Sequence, residues 1–373
     1  MTVRLLSIGT AVPRARLDQA ELRDCFIAQP GIGRLAARMI GAAFDRSEIE
    51  HRYAAIGAIG EDPAFFGPDG TLLRSPSTGE RNAAYRREAP ALFEAAARRA
   101  LEGSGFEGAE VTHIVTASCT GCFSPGPDFL LARAIGAPAS AERYHLGFMG
   151  CAAAFPALRA AARLASAQPD AVVLVACAEL CSVHIRSSSD PEQIVASSVF
   201  GDGAAAAVVT SVPPRREGAL LEIDGFTTSI TEEGESDMDW TVGDAGFEMR
   251  LTAQVPRIVG REIAGVVEGM LAASPGLGST GDVCAWAVHP GGRSVLDGVQ
   301  QGLGLSDSAM AHSRAVLREY GNMSSATVLF ILRRLLQDDA LSDGARAAGL
   351  AFGPGLTVET ALFTLRRAPE GRP

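Results

Sequence analysis

The sequence predicts an α/β fold in which helices cover both faces of a sheet and two similar halves follow one another. Continuously apolar runs rich in β-branched residues alternate with Ala- and Arg-rich stretches of helical spacing. This alternation breaks at 212–218, a stretch with two prolines and two arginines, and strand and helix then recur in a similar order. The length of 373 residues exceeds one typical domain of roughly 100–200 residues. We therefore expect two halves, residues 1–212 and 213–373.

The first half contains three predicted strands and one predicted helix. The strands are apolar throughout, which is typical of strands buried on both faces. The helix carries Arg159 and Arg163 four positions apart, on one face. The predicted strands lie at 112–117, 171–177 and 203–209, and the helix lies at 157–167.

The second half repeats the alternation after the break. Predicted strands lie at 220–225, 283–288, 347–352 and 357–365, and predicted helices at 255–273 and 324–337. The acidic stretch 227–245 is predicted to be a solvated loop. Gly353-Pro354-Gly355 is predicted to form a tight turn between the last two strands.

Composition excludes several functional classes. Hydrophobic residues make up 47% of the chain, which argues against a largely disordered protein. The 43 acidic residues outnumber the 33 basic ones and give a net charge of −10, which argues against nucleic acid as the main partner. The chain contains no lysine, which excludes a lysine Schiff base and a P-loop lysine.

Neither a membrane span nor a secretory signal is predicted. No apolar run reaches the roughly 18–20 residues that cross a bilayer. The first residues lack a long apolar segment followed by a small-residue cleavage site. We expect a cytoplasmic protein.

The seven cysteines do not predict a disulfide framework, because their number is odd and no export signal is visible. Cys119-x-x-Cys122 has the spacing of a zinc or redox motif, but no second pair of this spacing exists. We expect no metal site, and we expect most of these thiols to be buried packing residues.

One cysteine has a context that favours reactivity. Cys151 follows Gly150 and an apolar stretch, and it opens a predicted helix. The unpaired N–H groups and the positive dipole end of a helix stabilise an anion. We therefore expect the pKa of the Cys151 thiol to lie below its usual value of about 8.5.

Two further polar residues lie at the ends of predicted elements. His289 follows the apolar run 283–288, where it is placed to project into a cleft or to serve as a structural histidine. Asn322 precedes the helix predicted at 324–337, and a helix N-cap is the competing interpretation. A cysteine, a histidine and an asparagine on separate elements can converge in a duplicated α/β fold.

Five segments in this order resemble type III polyketide synthases, the chalcone-synthase-like branch of the thiolase superfamily, in their bacterial type. The resemblance covers nearly the whole chain. The segments are Gly150-Cys151, Val199-Phe200-Gly201-Asp202-Gly203-Ala204-Ala205, His289-Pro290-Gly291-Gly292, Tyr320-Gly321-Asn322-Met323-Ser324-Ser325 and Phe352-Gly353-Pro354-Gly355-Leu356-Thr357-Val358-Glu359-Thr360.

The resemblance implies a duplicated thiolase-like fold with αβαβα layers and a catalytic trio of Cys151, His289 and Asn322. Cys151 would accept an acyl group from an acyl-CoA starter, and a malonyl-CoA-type extender would be added by decarboxylative condensation. His289 and Asn322 would donate hydrogen bonds to the thioester oxygen, and His289 would also pair with the thiolate as a cation. No metal or other cofactor is implied. Family analogy suggests a homodimer.

Further matches concern the substrate cavity. Phe200 matches a gatekeeper aromatic, and Met249 stands where plant members have a second phenylalanine. Gly353, Pro354 and Gly355, after Phe352, match the loop that shapes the cavity, and Ser324 is kept. Several other cavity positions depart from the plant pattern: Cys119, Thr120, Ser124, Cys181, His184 and Trp240. These departures argue against a flavonoid product and favour alkylpyrones or alkylresorcinols made from a fatty acyl starter.

The CoA contacts are only partly matched. Arg46 matches a basic residue that contacts the CoA phosphates in the family, whereas Met39 and Ala42 stand at two neighbouring basic positions. Arg38 or Arg52 is therefore expected to supply the missing contact.

Two alternatives remain open at this stage. A β-ketoacyl synthase III-like enzyme also uses cysteine, histidine and asparagine, but performs a single condensation. A catalytically inactive homologue would bind thioesters as a scaffold, although such proteins usually lose a catalytic residue.

Overall fold

The computed structural model describes residues 2–274 and 276–367, which form thirteen strands and ten α-helices. The strands are β1 Arg4–Ala11, β2 Ala15–Asp18, β3 His51–Ala54, β4 His113–Ser118, β5 Glu142–Gly147, β6 Val172–Leu180, β7 Asp202–Thr210, β8 Ala219–Ile230, β9 Met238–Gly243, β10 Gly246–Leu251, β11 Ala285–Val288, β12 Arg346–Gly353 and β13 Thr357–Arg367. The helices are α1 Gln19–Ile27, α2 Arg34–Asp45, α3 Thr78–Ser104, α4 Pro127–Ile135, α5 Ala154–Ala167, α6 Pro191–Val199, α7 Val255–Ala272, α8 Arg293–Leu303, α9 Asp307–Tyr320 and α10 Thr327–Leu336.

Nine of the strands form one sheet in the order β11-β12-β13-β8-β1-β7-β6-β4-β5. Strands from the first part of the chain lie on one side of the β1–β8 pair, and strands from the second part lie on the other. The two sides are joined where Arg4 faces Glu222 and Leu5 faces Leu221, and where the Ile223 N–H donates to the Val3 carbonyl. The parallel pairs are β4–β5, β4–β6 and β11–β12, and the others are antiparallel.

The helices α5 and α10 form a middle layer between the two sides of the sheet. One hydrophobic core contains both helices and residues from strands on each side. α5 is rich in alanine, and α10 is apolar over most of its circumference, as expected for helices buried all round. The ring of Phe155 packs against Gly349 of β12, where an added side chain would occupy the space that the ring now fills.

The outer layers use one long helix on the first side and three helices on the second. α3 begins with a capping box between Ser77 and Glu80 and ends at Gly105 in the left-handed conformation. It packs on β1, β6 and β7 with a separate core, and α7, α8 and α9 form a third core over the second side. Within the described ranges, no helix combines the length and hydropathy of a bilayer span.

The structure contains strands and helices at the predicted positions, with one correction. The stretch 227–245 is not simply a solvated loop, because it includes the end of β8 and the whole of β9. β9 pairs with β10, and Met238, Trp240 and Phe247 hold this hairpin against the protein. The prediction of a loop rested on the acidic residues of this stretch and did not take account of the apolar side chains between them.

Candidate active site

Cys151 lies in a tight turn that feeds directly into the middle layer. The turn is a 3-10 helix, Gly150–Ala152, and α5 follows at Ala154. Gly150 has a φ of 58°, and an added Cβ would lie 2.5 Å from Cδ of Pro354. Glycine is therefore required here for both backbone conformation and space. The Cys151 side chain is 7% exposed.

Asn322 is held by hydrogen bonds that fix both its backbone and its amide. Its N–H donates to the carbonyl of Val199 at 2.8 Å, and its carbonyl accepts from the N–H of Gly201 at 2.9 Å. Its Oδ1 accepts from the N–H of Ser324 at 2.8 Å, which identifies Oδ1 and leaves the amide hydrogens free to point elsewhere. The competing N-cap interpretation is wrong, because α10 begins only at Thr327.

The Asn322 amide faces the sulfur of Cys151. Both Oδ1 and Nδ2 lie 3.9 Å from Sγ, and Nδ2 also lies 3.4 Å from the carbonyl oxygen of Gly291. The cysteine and the asparagine, 171 positions apart in sequence, are thus neighbours. The Gly291 contact brings the end of β11 to the same place.

His289 is fully buried immediately after β11. Its N–H donates to the Leu350 carbonyl at 2.8 Å, which fixes the backbone, while neither ring nitrogen has a hydrogen-bond partner within the described part of the chain. Buried polar nitrogens without partners are rare because they lose their hydration without compensation. The imidazole is therefore available to a substrate or to the thiol, although no hydrogen bond joins it to Cys151 among the described residues.

The expected low pKa of Cys151 is not observed. Burial raises the pKa of the thiol to about 11, and the lowering effects of Ser324 and Asn322 are smaller. Burial likewise lowers the pKa of His289 to about 3. Each group by itself is neutral near pH 7, and a thiolate requires compensation by a partner charge. The stabilisation of a thiolate by the N-terminus of a short helical turn is therefore smaller than the cost of removing water from around the sulfur.

The buried Glu179 carboxyl group holds together several polar groups close to Cys151 and Asn322. Glu179 ends the apolar strand β6 and is fully buried. It accepts from the Ser325 hydroxyl at 2.5 Å, the Thr120 hydroxyl at 2.8 Å and the Cys119 N–H at 3.0 Å. Burial raises its pKa. Its charged side chain within an otherwise apolar strand was a usable sequence signal that pattern analysis did not assign to the site.

Cys119 and Ser324 link the surroundings of Glu179 to those of Cys151. The two side chains meet at 3.4 Å between sulfur and hydroxyl oxygen, and Ser324 lowers the pKa of the Cys151 thiol by less than burial raises it. Cys119 and Thr120, predicted as cavity residues, are thus buried beside the catalytic cluster. Desolvation raises the pKa of Cys119 well above its usual value, so this thiol is also neutral.

Five predicted cavity residues surround one apolar cavity next to the cluster: Cys181, His184, Phe200, Trp240 and Met249. Its other walls include Leu17, Leu22, Phe26, Ile56 and Phe247. Phe200 belongs to both places, because its backbone pairs with Asn322 while it lines the cavity. We call this space the apolar cavity.

The β9–β10 hairpin closes the apolar cavity and is held by His184. The His184 Nε2–H donates to the Thr120 carbonyl at 2.8 Å, and its Nδ1 accepts from the Phe247 N–H at 3.1 Å. The rings of His184 and Phe247 stack with centroids 4.4 Å apart. Trp240 donates from Nε1 to the Cys119 carbonyl at 2.6 Å. His184 is a neutral positioning group, since burial lowers its pKa to about 3.

The Gly353-Pro354-Gly355 loop lies against the nucleophile turn. It connects β12 to β13, as predicted, and Phe352 before it is buried in the third core. An added Cβ on Gly353 would lie 3.0 Å from Cβ of Ala152. Ser124 is different, because it is exposed and does not reach the apolar cavity of its own chain.

Arg46 lines a second opening, a groove of about 850 Å³ whose lining also includes Gly292 and Gly291, which contacts Asn322. The two alternative residues, Arg38 and Arg52, have different surroundings. Arg52 is 3% exposed and donates to the carbonyls of Ser197 and Phe200, so it belongs to the interior. Arg38 is exposed on α2 and lies outside the groove lining, which contains Arg257 and Arg293 instead.

Comparison with known proteins identifies the family. Residues 2–213 match the N-terminal domain of chalcone and stilbene synthases, and residues 223–366 match the C-terminal domain. The chain belongs to the chalcone and stilbene synthase family. The predicted resemblance to type III polyketide synthases is confirmed.

Solved structures confirm the thiolase-like fold. Steely1, a type I/III hybrid from Dictyostelium, has a C-terminal type III polyketide synthase domain with a TM-score of 0.88 and 29% identity, over 98% of this chain and 99% of that one. PKS-I from the brown alga Ectocarpus siliculosus has a TM-score of 0.90 and 31% identity, with 98% of both chains covered. The 1,3,6,8-tetrahydroxynaphthalene synthase of Streptomyces coelicolor has a TM-score of 0.85 and 26% identity, with 98% and 100% covered.

One curated relative is much longer than this chain. The probable polyketide synthase 1 of Dictyostelium discoideum is 30% identical over 360 residues, which make up 95% of this chain. The chain spans 11% of the length of that protein.

We predict that ionisation of Cys151 depends on His289. Without an imidazolium partner the buried thiol has a pKa of about 11, and an adjacent cation lowers it. In His289→Gln, the rate of Cys151 alkylation by iodoacetamide should therefore rise up to about pH 11. In the unaltered enzyme a fraction of Cys151 should instead react already at neutral pH, as a thiolate paired with protonated His289.

Alkylation is followed by peptide mass spectrometry across this pH range, and the exposed Cys284 serves as the internal control. Identical Cys151 profiles in the two proteins would mean that the imidazole does not share the thiol proton.

Proposed function

We propose that the protein is a type III polyketide synthase that loads an acyl-CoA starter onto Cys151. The observation that carries this proposal is the Asn322 amide, whose oxygen is fixed by Ser324 and whose Nδ2 lies 3.9 Å from the sulfur. Sγ attacks the acyl carbonyl carbon, and the thiol proton passes to the imidazole of His289. The CoA sulfur leaves and takes that proton, so a thioester on Cys151 and free CoA result.

Extension then uses malonyl-CoA or a substituted malonyl-CoA. Loss of CO₂ leaves an electron pair that is delocalised onto the thioester oxygen as an enolate. Nδ2 of Asn322 and the protonated ring nitrogen of neutral His289 donate to this oxygen. The enolate carbon attacks the acyl carbonyl carbon and releases the sulfur of Cys151 as a thiolate, which takes a proton from water. These steps require CoA thioesters and no further cofactor.

Phe200 supports the decarboxylation in this proposal. Phe200 pairs with Asn322 through its backbone and lines the apolar cavity, so in the proposed mechanism an aromatic residue lies near the malonyl carboxylate. An apolar surface solvates a carboxylate poorly and neutral CO₂ well, so the reaction is favoured.

The proposed product is a pyrone, a resorcinol or a related ring, formed from a fatty acyl starter. Leu17, Leu22 and Phe26 extend the apolar cavity beyond Phe200, which suits an alkyl chain. Ring closure by attack of an enol oxygen on the CoA thioester releases CoA and gives a pyrone. The departures at Cys119, Cys181, His184 and Trp240 support assignment to the bacterial type.

The assay for this proposal supplies purified protein with malonyl-CoA and saturated acyl-CoAs of several lengths and identifies the products by mass spectrometry. We expect two or more extensions, closed into a ring. Release of a single β-ketoacyl product would support a synthase III-like enzyme instead. Absence of any acyl adduct on Cys151 would indicate a scaffold. Cys151→Ala should form no adduct and no product.

Loss of the hydrogen-bond donors should impair decarboxylation itself. We predict that Asn322→Ala and His289→Ala reduce CO₂ release from malonyl-CoA by about 100-fold or more, because each removes a donor to the enolate oxygen. CO₂ release is measured with malonyl-CoA carrying ¹⁴C in its free carboxyl group, and Cys284→Ala, at an exposed position before β11 whereas His289 follows β11, is the matched control. Near-normal release in both alanine variants would contradict the role of these residues.

We also propose a homodimer in which β5 strands of two copies pair. β5 is the last strand of the sheet, and five of its six residues are exposed. Phe148, directly after it, is 39% exposed. Open strand edges next to apolar residues favour strand pairing. Light scattering should give twice the mass of one 38.8 kDa chain.

Phe148→Glu should shift this dimer toward monomer, whereas Ile230→Glu, at another exposed apolar residue, should not. A monomeric unaltered protein, or equal effects of the two substitutions, would contradict pairing through β5.

A further inference from the structure

The groove lined by Arg46 contains two further arginines, Arg257 and Arg293, to which the sequence motifs assign no role. Its walls come from the end of α2, from α6 and from the first turns of α7 and α8. Both α7 and α8 therefore present the positive ends of their dipoles to this groove. The side chains at its rim include three arginines: Arg46, Arg257 and Arg293. The chain as a whole carries a net charge of −10, so this local excess is unusual.

The three arginines differ in whether their charge is compensated. Arg293 forms ion pairs with Glu48 at 3.1 Å and with Asp297 at 3.3 Å. Among the described residues, no carboxylate lies within 4 Å of the Arg46 or Arg257 guanidinium, and neither side chain forms a hydrogen bond. Two uncompensated cations thus remain in the lining of one groove, one directly after α2 and one in the first turn of α7.

Arg257 occupies a position that is unfavourable for the helix itself. It lies in the first turn of α7, which contains no acidic residue. A cation at a helix N-terminus is repelled by the dipole, typically by 0.3–1 kcal/mol. Arg257 is exposed and gains no compensating contact within the protein. A ligand with negative charge would provide the missing interaction.

One residue of the groove lining contacts Asn322. Gly291 lines the groove, and its carbonyl oxygen is 3.4 Å from Nδ2 of Asn322. Ala42 lines the same groove, where a basic residue was expected from the resemblance, and it contributes only a methyl group. A ligand that extends from Arg46 and Arg257 past Gly291 would bring its other end to Asn322.

We propose that Arg257, together with Arg46, binds the phosphate groups of the CoA thioesters and replaces the basic contacts missing at Met39 and Ala42. Arginine suits this role because its planar guanidinium donates two parallel hydrogen bonds to a phosphate. The inference rests on the proposed function, since it concerns how the CoA substrates are held. It adds a contact from α7 to the one expected from Arg46.

The test compares two acyl donors that differ only in their charged part. Acylation of Cys151 is followed by intact-protein mass spectrometry with hexanoyl-CoA and with the N-acetylcysteamine thioester of hexanoic acid, which carries no phosphate. Arg257→Ala should raise the half-saturating hexanoyl-CoA concentration about tenfold or more, because a charge-assisted contact is lost. Acylation by the uncharged donor should not change. Arg46→Ala should behave in the same way.

Arg38→Ala is the matched control, because Arg38 is exposed on α2 but lies outside the groove. It should leave both donors unaffected. Arg257→Ala with an unchanged response to hexanoyl-CoA, or with equal losses for both donors, would overturn the inference alone. Failure of the unaltered protein to be acylated by either donor would overturn the proposed function and the inference with it.

Discussion

The chemistry depends on a short backbone pairing between Phe200 and Asn322, which come from different parts of the chain. This pairing holds the asparagine in place before any side-chain contact is made. Arg52 supports it from behind, since its stem fills the space beside Gly201 and Gly321, where an added Cβ would lie 3.3 Å and 2.9 Å from it. The amide orientation is thus set by buried backbone geometry, which a substrate cannot easily disturb.

The middle layer explains why the nucleophile and the amide meet. α5 begins just after the Cys151 turn and α10 just after the Asn322 segment, and one core holds both helices. The close approach needs small residues, as at Gly150 against Pro354. The same burial that fixes the geometry raises the pKa of the thiol and lowers that of His289. In the proposed mechanism, reactivity therefore comes from Cys151 and His289 acting as a pair.

The sequence predicted the strands and helices well because buried strands are continuously apolar, as at 171–177. It predicted the trio of chemical residues from motifs, and the structure brings Cys151 and Asn322 into contact. Pattern analysis did not find the β9–β10 hairpin or the function of Glu179. These depend on contacts between distant segments, which no local pattern encodes. The pKa of the thiol was predicted in the wrong direction because burial cannot be read from a helix start.

The most direct test of the account is the carbonyl stretch of the acyl group on Cys151. Isotope-edited infrared spectroscopy of the enzyme acylated with a ¹³C-carbonyl starter reports hydrogen bonding to that oxygen. The account predicts a lower frequency than for the same thioester in an apolar solvent, and loss of this shift in Asn322→Ala. An identical frequency in the unaltered enzyme and the variant would contradict the claim that the Asn322 amide acts on the thioester oxygen.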